Sequence, residues 1–182
     1  MTRWLAHVRN AFLLLAPIAG CSTQPPVPRA AHVEVARFMG PWYVIAVIPT
    51  RLERNAVNAV ETYTLAPDGS IKTHFRYRDG DVSAKVKEIH AVGFVRPDTN
   101  NAVWGMQFIW PIKAQYVISW LDPSYQRVVV ARDKRDYVWI MARTPTIDDK
   151  DYAALTARVA DMGYDLSRLR KVPQAWPERS GR

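Results

Sequence analysis

One carboxylate and two phenols lie close enough in the sequence to suggest acid–base chemistry. Glu61 and Tyr63 share one β-like run and Tyr77 lies in the next, so a common cavity would let them exchange protons with a substrate. Neither a Ser-His-Asp nor a Cys-His combination is apparent. No metal-ligand spacing connects the histidines, which are His7, His32, His74 and His90. The sequence therefore predicts a protein without catalytic residues, metal or cofactor, and an enzyme that uses Glu61 is the alternative.

The only cysteine, Cys21, follows a stretch that is typical of an export signal. Arg3 and Arg9 come first, the apolar run 11–16 follows, and small residues lie directly before the cysteine. The apolar run is too short to span a bilayer. Residues 1–20 are therefore predicted to be a signal peptide that is removed.

The residues that end at this cysteine, Ile-Ala-Gly-Cys, resemble the lipobox of bacterial lipoproteins. This resemblance implies that Cys21 becomes the new N-terminus and carries palmitate or similar acyl chains that hold the protein on a membrane. Ser22 follows the cysteine, and the absence of aspartate there favours the outer membrane of a Gram-negative cell. An ordinary signal cut that leaves a free thiol is the alternative.

Charge and length restrict what the mature chain can be. Residues 21–182 suit a single domain and carry 23 basic and 17 acidic residues once Arg3 and Arg9 are removed. This positive surplus can attract anionic lipids or acidic ligands, whereas scattered basic residues behind an export signal disfavour nucleic acid. A single cysteine rules out an internal disulfide, so apolar packing must stabilise the domain. A monomer and a homodimer are both compatible with these features.

Short β-like runs separated by turn residues fill most of the chain. They cover residues 42–49, 57–65, 70–78, 82–95, 102–110, 114–121, 125–132 and 136–143. Because short links join successive runs, the pattern predicts an all-β domain of eight antiparallel strands, arranged as a barrel or a sandwich.

Helical periodicity replaces the β pattern after the eighth run. Apolar residues recur there at intervals of three and four, namely Tyr152, Leu155, Val159 and Met162. This stripe predicts one C-terminal α-helix over about residues 147–162, packed outside the barrel. Thr146 is the expected N-cap, and Gly163 can end the helix in a left-handed conformation.

The segments on either side of the domain are expected to be irregular. Three prolines fall within residues 22–29, which predicts an extended tether over residues 21–32. Two prolines and scattered charges predict a loose tail over residues 173–182. The folded domain is therefore expected to cover residues 33–172.

Three motifs in order resemble those of the lipocalins, and within that family the bacterial outer-membrane lipoproteins. Gly40-Pro41-Trp42 fits the Gly-x-Trp motif at the first strand, and Arg135-Asp136-Tyr137 falls where a Thr-Asp-Tyr-like motif precedes the last strand. Residues 139–145 resemble the closing segment, whose arginine packs over the tryptophan. The resemblance covers Val33 to Leu169 and implies an eight-stranded antiparallel up-and-down lipocalin barrel over about residues 40–143. It assigns structural roles to Gly40, Trp42, Asp136, Tyr137 and Arg143.

The chain departs from the lipocalin pattern at two positions. Arg135 replaces the usual threonine, and Val44 stands where many bacterial members carry glutamate. Neither change threatens the predicted barrel. A changed inward group can alter the preference for ligands.

Strand alternation predicts which side chains face the barrel interior, once Trp42 and Arg143 are taken as inward. The predicted ligand-binding residues are Glu61, Tyr63, Phe75, Tyr77, Met106, Phe108, Trp110, Tyr116, Tyr137, Trp139 and Met141. This set is mostly aromatic or sulfur-containing, which suits an elongated apolar ligand with a polar head. Ordinary core packing without a cavity is the alternative.

Basic residues concentrate in the links expected at one end of the barrel and predict a cationic mouth. They are Arg51, Arg54, Arg78, Lys85, Lys113, Arg132, Lys134 and Arg135. Solvated loop charges that serve solubility are the alternative. Together with the resemblance, these basic residues lead to the hypothesis of a membrane-anchored lipocalin that binds or carries fatty acids, lysophospholipids or similar amphiphiles for envelope maintenance or lipid storage. The alternatives are an envelope enzyme that acts on a small apolar substrate and a surface interaction protein with a solid barrel.

Overall fold

Eight long strands make up most of the computed structural model, which describes residues 24–51 and 53–178. They are β1 (Gly40–Ile48), β2 (Ala56–Leu65), β3 (Ile71–Asp79), β4 (Val86–Val95), β5 (Val103–Ile109), β6 (Ile112–Leu121), β7 (Arg127–Ala131) and β8 (Val138–Ala142). The short helix α1 (Val35–Phe38) precedes them. The helix α2 (Asp149–Asp161), a 3₁₀ turn (Leu166–Arg168) and the short strand β9 (Arg170–Lys171) follow them.

The strands form a closed antiparallel barrel. Each strand pairs with its neighbours in sequence, and β1 pairs with both β2 and β8, so the sheet returns on itself. Links between consecutive strands alternate between two ends of such a barrel. We name the end with the β1–β2, β3–β4, β5–β6 and β7–β8 links the open end, and the opposite end the closed end. The predicted eight-stranded barrel with one long helix after it is confirmed.

Residue alternation sets the two faces of the barrel wall, as β3 illustrates. Ile71, Thr73, Phe75 and Tyr77 are all buried, whereas the residues between them are exposed or half-buried. Successive side chains of a strand point to opposite faces, so the first set packs inside and the second faces outward. The strand β4 begins at Val86 rather than at residue 82, because residues 82–84 form a turn.

The helix α1, which the sequence pattern does not predict, fills the closed end. A four-residue helix is too short to show a periodicity, yet its last residue, Phe38, is fully buried. The Phe38 ring lies 5.0 Å from the ring of Trp42, and the Trp42 indole donates a hydrogen bond of 2.9 Å to the Phe38 carbonyl. One end of the barrel is therefore plugged by aromatic packing.

The helix α2 lies against the outer face of the barrel, as predicted. Its buried residues, Leu155 and Val159, belong to an apolar cluster that also contains Val129 of β7 and Ile140 of β8. The N-cap is Asp148 rather than Thr146, since the Asp148 carboxylate accepts a hydrogen bond from the backbone N–H three residues later. Within the described residues, α2 and the shorter helices lack the length and apolarity that crossing a bilayer requires.

The described part of the N-terminal segment packs on the barrel instead of standing free as a tether. Val27 is buried, and its N–H donates to the Asp133 carboxylate in the β7–β8 link at 2.9 Å. Farther along, the Ala30 N–H donates to the Ile118 carbonyl of β6. Proline prevents regular pairing, but single backbone groups between prolines still find partners. Residues 24–33 therefore run along the barrel surface from the open end towards the closed end.

Residues 173–178 also differ from the expected loose tail. Asn58, at φ 48° in an irregularity of β2, holds this segment with its side chain. The Asn58 amide donates to the Ala175 carbonyl at 3.1 Å, and its oxygen accepts from the Ala175 N–H at 2.7 Å. Glu178 then forms a salt bridge with Arg76 and Arg78 on the outer face of β3. These contacts come from residues more than a hundred positions away, which local sequence patterns cannot show.

Candidate functional site

The interior of the barrel is hollow towards the open end. A cavity of about 490 Å³ opens there. Its lining residues are Thr50, Arg51, Glu53, Glu61, Phe75, Ile89, Met106, Phe108, Ala114, Gln115, Tyr116, Arg132, Tyr137 and Trp139. Pockets of this size hold small organic ligands, so the alternative of a solid barrel does not describe this protein.

An aromatic cluster forms the floor of the cavity. The Phe38 ring contacts the rings of Tyr63 at 5.3 Å and Trp104 at 5.2 Å. Above them, Tyr116 stacks on Trp104 at 5.4 Å and presents its other side to the cavity. Rings at these separations leave no room for a ligand, so the cavity ends at Tyr116.

Glu61 is the acidic group deep in the cavity. Burial raises the pKa of Glu61 from its ordinary 4.5 to about 7, an effect that a hydrogen bond from Tyr63 partly opposes and the charge of Glu53 reinforces. Tyr63 in turn shares a short hydrogen bond with the Tyr116 hydroxyl. Below about pH 7 the Glu61 carboxyl is therefore a neutral acid that can donate a hydrogen bond into the cavity.

Arg132 supplies positive charge near the mouth of the cavity. One guanidinium nitrogen donates to the Asp136 carboxylate at 3.0 Å, and the guanidinium lies 5.0 Å from the centre of the Tyr137 ring. The buried Nε of Arg132 has no hydrogen-bond partner within residues 24–51 and 53–178. Because the Arg132 side chain also lines the cavity, its charge favours an anionic or strongly polar group on a ligand.

Glu53 connects the β1–β2 link to the cavity wall. Its carboxylate accepts a hydrogen bond from the Trp139 indole at 3.2 Å and another from the Thr50 N–H at 3.2 Å. Both partners line the cavity. The β1–β2 link is therefore held against the cavity wall by Trp139. This contact keeps the cavity open at that side.

Most of the residues predicted to bind a ligand do line this cavity. They are Glu61, Phe75, Met106, Phe108, Tyr116, Tyr137 and Trp139. Tyr63 belongs to the aromatic cluster of the floor and lies beneath Tyr116, Met141 is fully buried in the core, and Tyr77 is buried with its ring stacked on Phe75 at 5.1 Å. These three support the floor and the wall but do not line the cavity.

Trp110 lies outside the cavity, contrary to the inward position predicted for it. It follows the end of β5 and is 83% exposed at the tip of the β5–β6 hairpin. The pairing register shifts between Gln107 and Ile109, so the alternation that holds for Trp104 and Met106 does not continue to the tip. A bulge of this kind reorients the side chains beyond it.

Five lining residues were not identified as site residues from the sequence. They are Thr50, Glu53, Ile89, Ala114 and Gln115. Ile89 is paired directly with Phe75 across β3 and β4, so a known strand register would have revealed it. Ala114 lies two residues before Tyr116 on β6 and shares its inward face, but a small side chain gives little signal in an apolar pattern.

A second concavity of about 550 Å³ lies outside the barrel. It is bounded by Asn58, Arg78, Val82, Ser83, Ala175, Trp176, Pro177 and Glu178. Its charged side chains bind each other, since Arg78 donates to Glu178 at 2.8 Å. The barrel cavity, with its apolar wall and with Arg51 and Arg132 in its lining, is the better candidate for ligand binding.

Comparison with known proteins agrees with this barrel and its interior cavity. The model of the lipocalin-like domain matches residues 33–174. The chain belongs to the lipocalin family. Lipocalins are typically binding proteins rather than enzymes.

Relatives of this lipocalin occur in bacteria and plants. It is 31% identical over 174 residues to the outer membrane lipoprotein Blc of Escherichia coli strain K12, covering 93% of this chain and 95% of that protein. It is 31% identical over 155 residues to temperature-induced lipocalin-1 of Arabidopsis thaliana, covering 79% of this chain and 80% of the relative. Among solved structures, insecticyanin from the tobacco hornworm Manduca sexta superposes with a TM-score of 0.66 at 11% identity, covering 85% of this chain and 87% of that one. This last likeness concerns the fold alone.

The motif residues Gly40, Trp42 and Arg143 lie at the closed end of the barrel and do not line the cavity, whereas the motif residue Tyr137 does. The Arg143 guanidinium lies 3.8 Å from the centre of the Trp42 ring and donates to the carbonyls of Pro41 at 2.8 Å and Phe38 at 3.0 Å. Gly40 adopts φ +93°, and a Cβ there would lie 3.4 Å from the same guanidinium. Both observations agree with structural roles for these positions.

Arg135 stands where the lipocalin motif usually has threonine, and its side chain has a structural role. Its guanidinium donates to the Met162 carbonyl at the end of α2 and to the Pro25 carbonyl of the N-terminal segment, both at 2.7 Å. A threonine side chain is too short to reach both. In this chain the substitution joins the β7–β8 link to two neighbouring segments.

Proposed function

We propose that this lipocalin is anchored to the outer membrane through acyl chains on Cys21 and that it binds single-chain amphiphiles, such as fatty acids or lysophospholipids, in its cavity. The observation that supports this proposal is the cavity of about 490 Å³, which is apolar along its wall and polar at its mouth. An amphiphile with one hydrocarbon tail likewise has an apolar part and a polar head. The protein would hold such molecules beside the membrane for storage or transport.

The size of the apolar contribution is consistent with reversible binding. Burying about 12 methylenes at about 0.8 kcal/mol each contributes about 10 kcal/mol. Association and ordering of the chain offset several kcal/mol of this. The remainder corresponds to a dissociation constant in about the micromolar range. Binding of this strength suits loading and release rather than permanent storage of one molecule.

The polar groups suggest how such a ligand is oriented. Arg132 and Arg51 line the cavity near its mouth, and Glu61 lies deeper in the wall. A carboxylate or phosphate head can accept hydrogen bonds from a guanidinium in a directed geometry, whereas the apolar tail would contact Met106 and Phe75. We therefore expect the head at the mouth and the tail pointing to the aromatic floor.

Features around the mouth favour an open end that faces the bilayer. The described N-terminal segment passes the β7–β8 link at the open end, where the Pro25 carbonyl accepts from Arg135. Two residues lie between Cys21 and Gln24, so three Cα–Cα steps of at most about 11 Å connect them. The hairpin at the same end exposes Phe108, Ile109, Trp110 and Ile112, which we name the apolar hairpin. The acyl anchor, the apolar hairpin and the cavity mouth would thus all lie on one side.

A cavity-filling variant tests ligand binding. The protein carrying Cys21→Ser, freed of bound lipid, would be titrated with oleate and with lysophosphatidylcholine while tryptophan fluorescence is followed. Ala114→Phe places a ring in the cavity and should weaken binding at least tenfold. Ala154→Phe adds the same ring on the exposed side of α2 and should leave binding unchanged. No saturable response from the parent protein would contradict the proposal.

The anchor requires a separate test, since Cys21 lies outside the described residues. Cells that produce the full chain would be fed an alkyne-tagged palmitate and their membranes separated on a density gradient. We expect label on the protein in the outer-membrane fraction, and loss of both label and membrane association in Cys21→Ser. A labelled protein that remains in the inner membrane would refute the outer-membrane assignment alone.

A further inference from the structure

Two histidines and a glutamate meet on the outer face of the barrel wall. His74 of β3 pairs directly with His90 of β4, and their rings are stacked at 4.7 Å with 5° between the planes. Glu88 precedes His90 by two residues and so shares its face of the strand. Strand register brings together residues whose sequence spacing indicates no metal site.

The donor atoms of this cluster are close to the separations that a metal ion requires. The His74 Nε2 lies 3.4 Å from one Glu88 carboxylate oxygen, and the His90 Nε2 lies 4.0 Å from the other. All three donors fit within 4.8 Å of one another. Ligands held about 2.1 Å from a common ion lie about 3.3 to 4.2 Å apart, so small rotations of the side chains would complete the geometry.

The surroundings leave these donors available. The Nε2 of His74 is buried and forms no hydrogen bond within the part of the chain that the structure describes. Arg76 is paired with Glu88 across the two strands, but its guanidinium is bound by Glu178 at 2.9 and 2.5 Å. Arg76, the cation directly opposite Glu88, therefore has its own carboxylate partner. His90 is 70% exposed, which gives an ion access from solvent.

We propose that His74, Glu88 and His90 form a binding site for a divalent transition-metal ion on the outside of the β3–β4 wall. Imidazole nitrogens with one carboxylate suit Zn²⁺, Ni²⁺ and Cu²⁺ rather than Mg²⁺ or Ca²⁺, which prefer oxygen ligands. Three protein ligands leave at least one position for water. This site is separate from the lipid cavity and does not depend on the proposed function.

The position of the site couples it to the cavity. Phe75 and Ile89 are the next pair along the same two strands, and both line the cavity from the inside. A bound ion would cross-link β3 and β4 directly behind them. Because the unfolded chain does not hold the three ligands together, metal binding should also stabilise the folded barrel in proportion to the metal concentration.

Calorimetric titration with Zn²⁺ tests the proposal on the full-length, untagged protein after treatment with a chelator. We expect one ion per chain and a rise in melting temperature with added Zn²⁺. His90→Ala and Glu88→Gln should each weaken binding at least tenfold. His32→Ala, which removes an exposed histidine elsewhere, is the matched control and should change neither result.

The spectrum of bound Cu²⁺ provides a second readout that folding defects do not mimic. Electron paramagnetic resonance should show two coordinated nitrogens in the parent protein and one in His90→Ala. The proposal is overturned if Zn²⁺ fails to bind, or if binding persists undiminished in the double variant His74→Ala, His90→Ala. Equal binding of Ca²⁺ would likewise contradict it.

Discussion

The two ends of this lipocalin barrel each place an arginine over an aromatic ring, but to different effect. At the closed end Arg143 lies 3.8 Å from the Trp42 ring centre, and its nitrogens donate to backbone carbonyls around it. At the open end Arg132 lies 5.0 Å from the Tyr137 ring centre and retains a buried Nε without a partner in the described residues. The first arrangement satisfies its own polar groups and stabilises the fold. The second lines the cavity, where the charge of Arg132 favours an anionic ligand head.

The aromatic residues also differ between the two ends, with a structural role at the closed end and contact with the cavity at the open end. Trp42 and Trp104 are fully buried and pack around Phe38, so the closed end resembles the core of any small domain. Trp139 is only partly buried and faces the cavity. Substitutions at the two ends should therefore separate stability from binding, and the following predictions test that separation.

Removal of the closed-end tryptophan should have the largest effect. Trp42→Ala deletes a fully buried indole together with its hydrogen bond to the Phe38 carbonyl, and should lower the free energy of unfolding by about 3–5 kcal/mol. Urea unfolding measures this loss. Trp139→Ala should reduce stability less, because the cavity already exposes one side of that ring. Equal losses at both positions would contradict the division between the ends.

Replacement of the buried cavity acid should change how stability depends on pH. In the unfolded chain Glu61 ionises near its ordinary 4.5, whereas in the barrel its pKa is about 7. Between these values the folded protein binds more protons than the unfolded chain, so its stability falls as pH rises from about 4.5 to about 7. The fall approaches at most about 3 kcal/mol, since water in the cavity reduces the penalty.

Glu61→Gln should remove this decline. Urea unfolding at pH 4.5, 6 and 8 would show the variant gaining stability relative to the parent as pH increases. Glu34→Gln, at an exposed glutamate near the closed end, is the matched control and should show no such gain. A constant difference between the Glu61 variant and the parent at all three pH values would place the carboxyl in water rather than in the cavity wall.

The barrel could be predicted from the sequence because its signals are local. Turn residues mark the strand ends, and period-two alternation in β3 sets Phe75 inward and His74 outward. The same reasoning failed at Trp110, where the irregularity near Gln107 and the turn itself end the alternation. The helix α1 was missed because four residues cannot show a helical period.

The remaining features depend on contacts between distant parts of the chain. The pairing of His74 with His90 follows from the register of β3 and β4, which the sequence alone does not specify to one residue. The attachment of the tail to Asn58 joins residues over a hundred positions apart. The unpaired Nε of Arg132 is a matter of local geometry that no sequence pattern encodes.

The open-end arginine should affect ligand binding more than stability. Arg132→Gln removes the cation but retains polar N–H groups, and should weaken binding of oleate by about tenfold to a hundredfold, as expected for a charged hydrogen bond. Fluorescence titration measures this loss. Arg143→Gln at the closed end should instead lower stability while the folded fraction binds oleate normally. Unaltered oleate affinity in the Arg132 variant would place the ligand head elsewhere.

The apolar hairpin should have the smallest effect, and on membranes rather than on ligand affinity. Trp110 is 83% exposed beside the cavity mouth, so transferring its ring into a bilayer surface removes apolar area from water. With the acyl anchor absent, Trp110→Ala in the Cys21→Ser protein should weaken binding to anionic phospholipid vesicles by roughly fivefold, or about 1 kcal/mol. Leu166→Ala changes an exposed apolar residue in the 3₁₀ turn and should leave vesicle binding unaltered. If both substitutions weaken vesicle binding equally, contact with the membrane is not specific to the open end, and the contrast between the two ends concerns only the barrel interior.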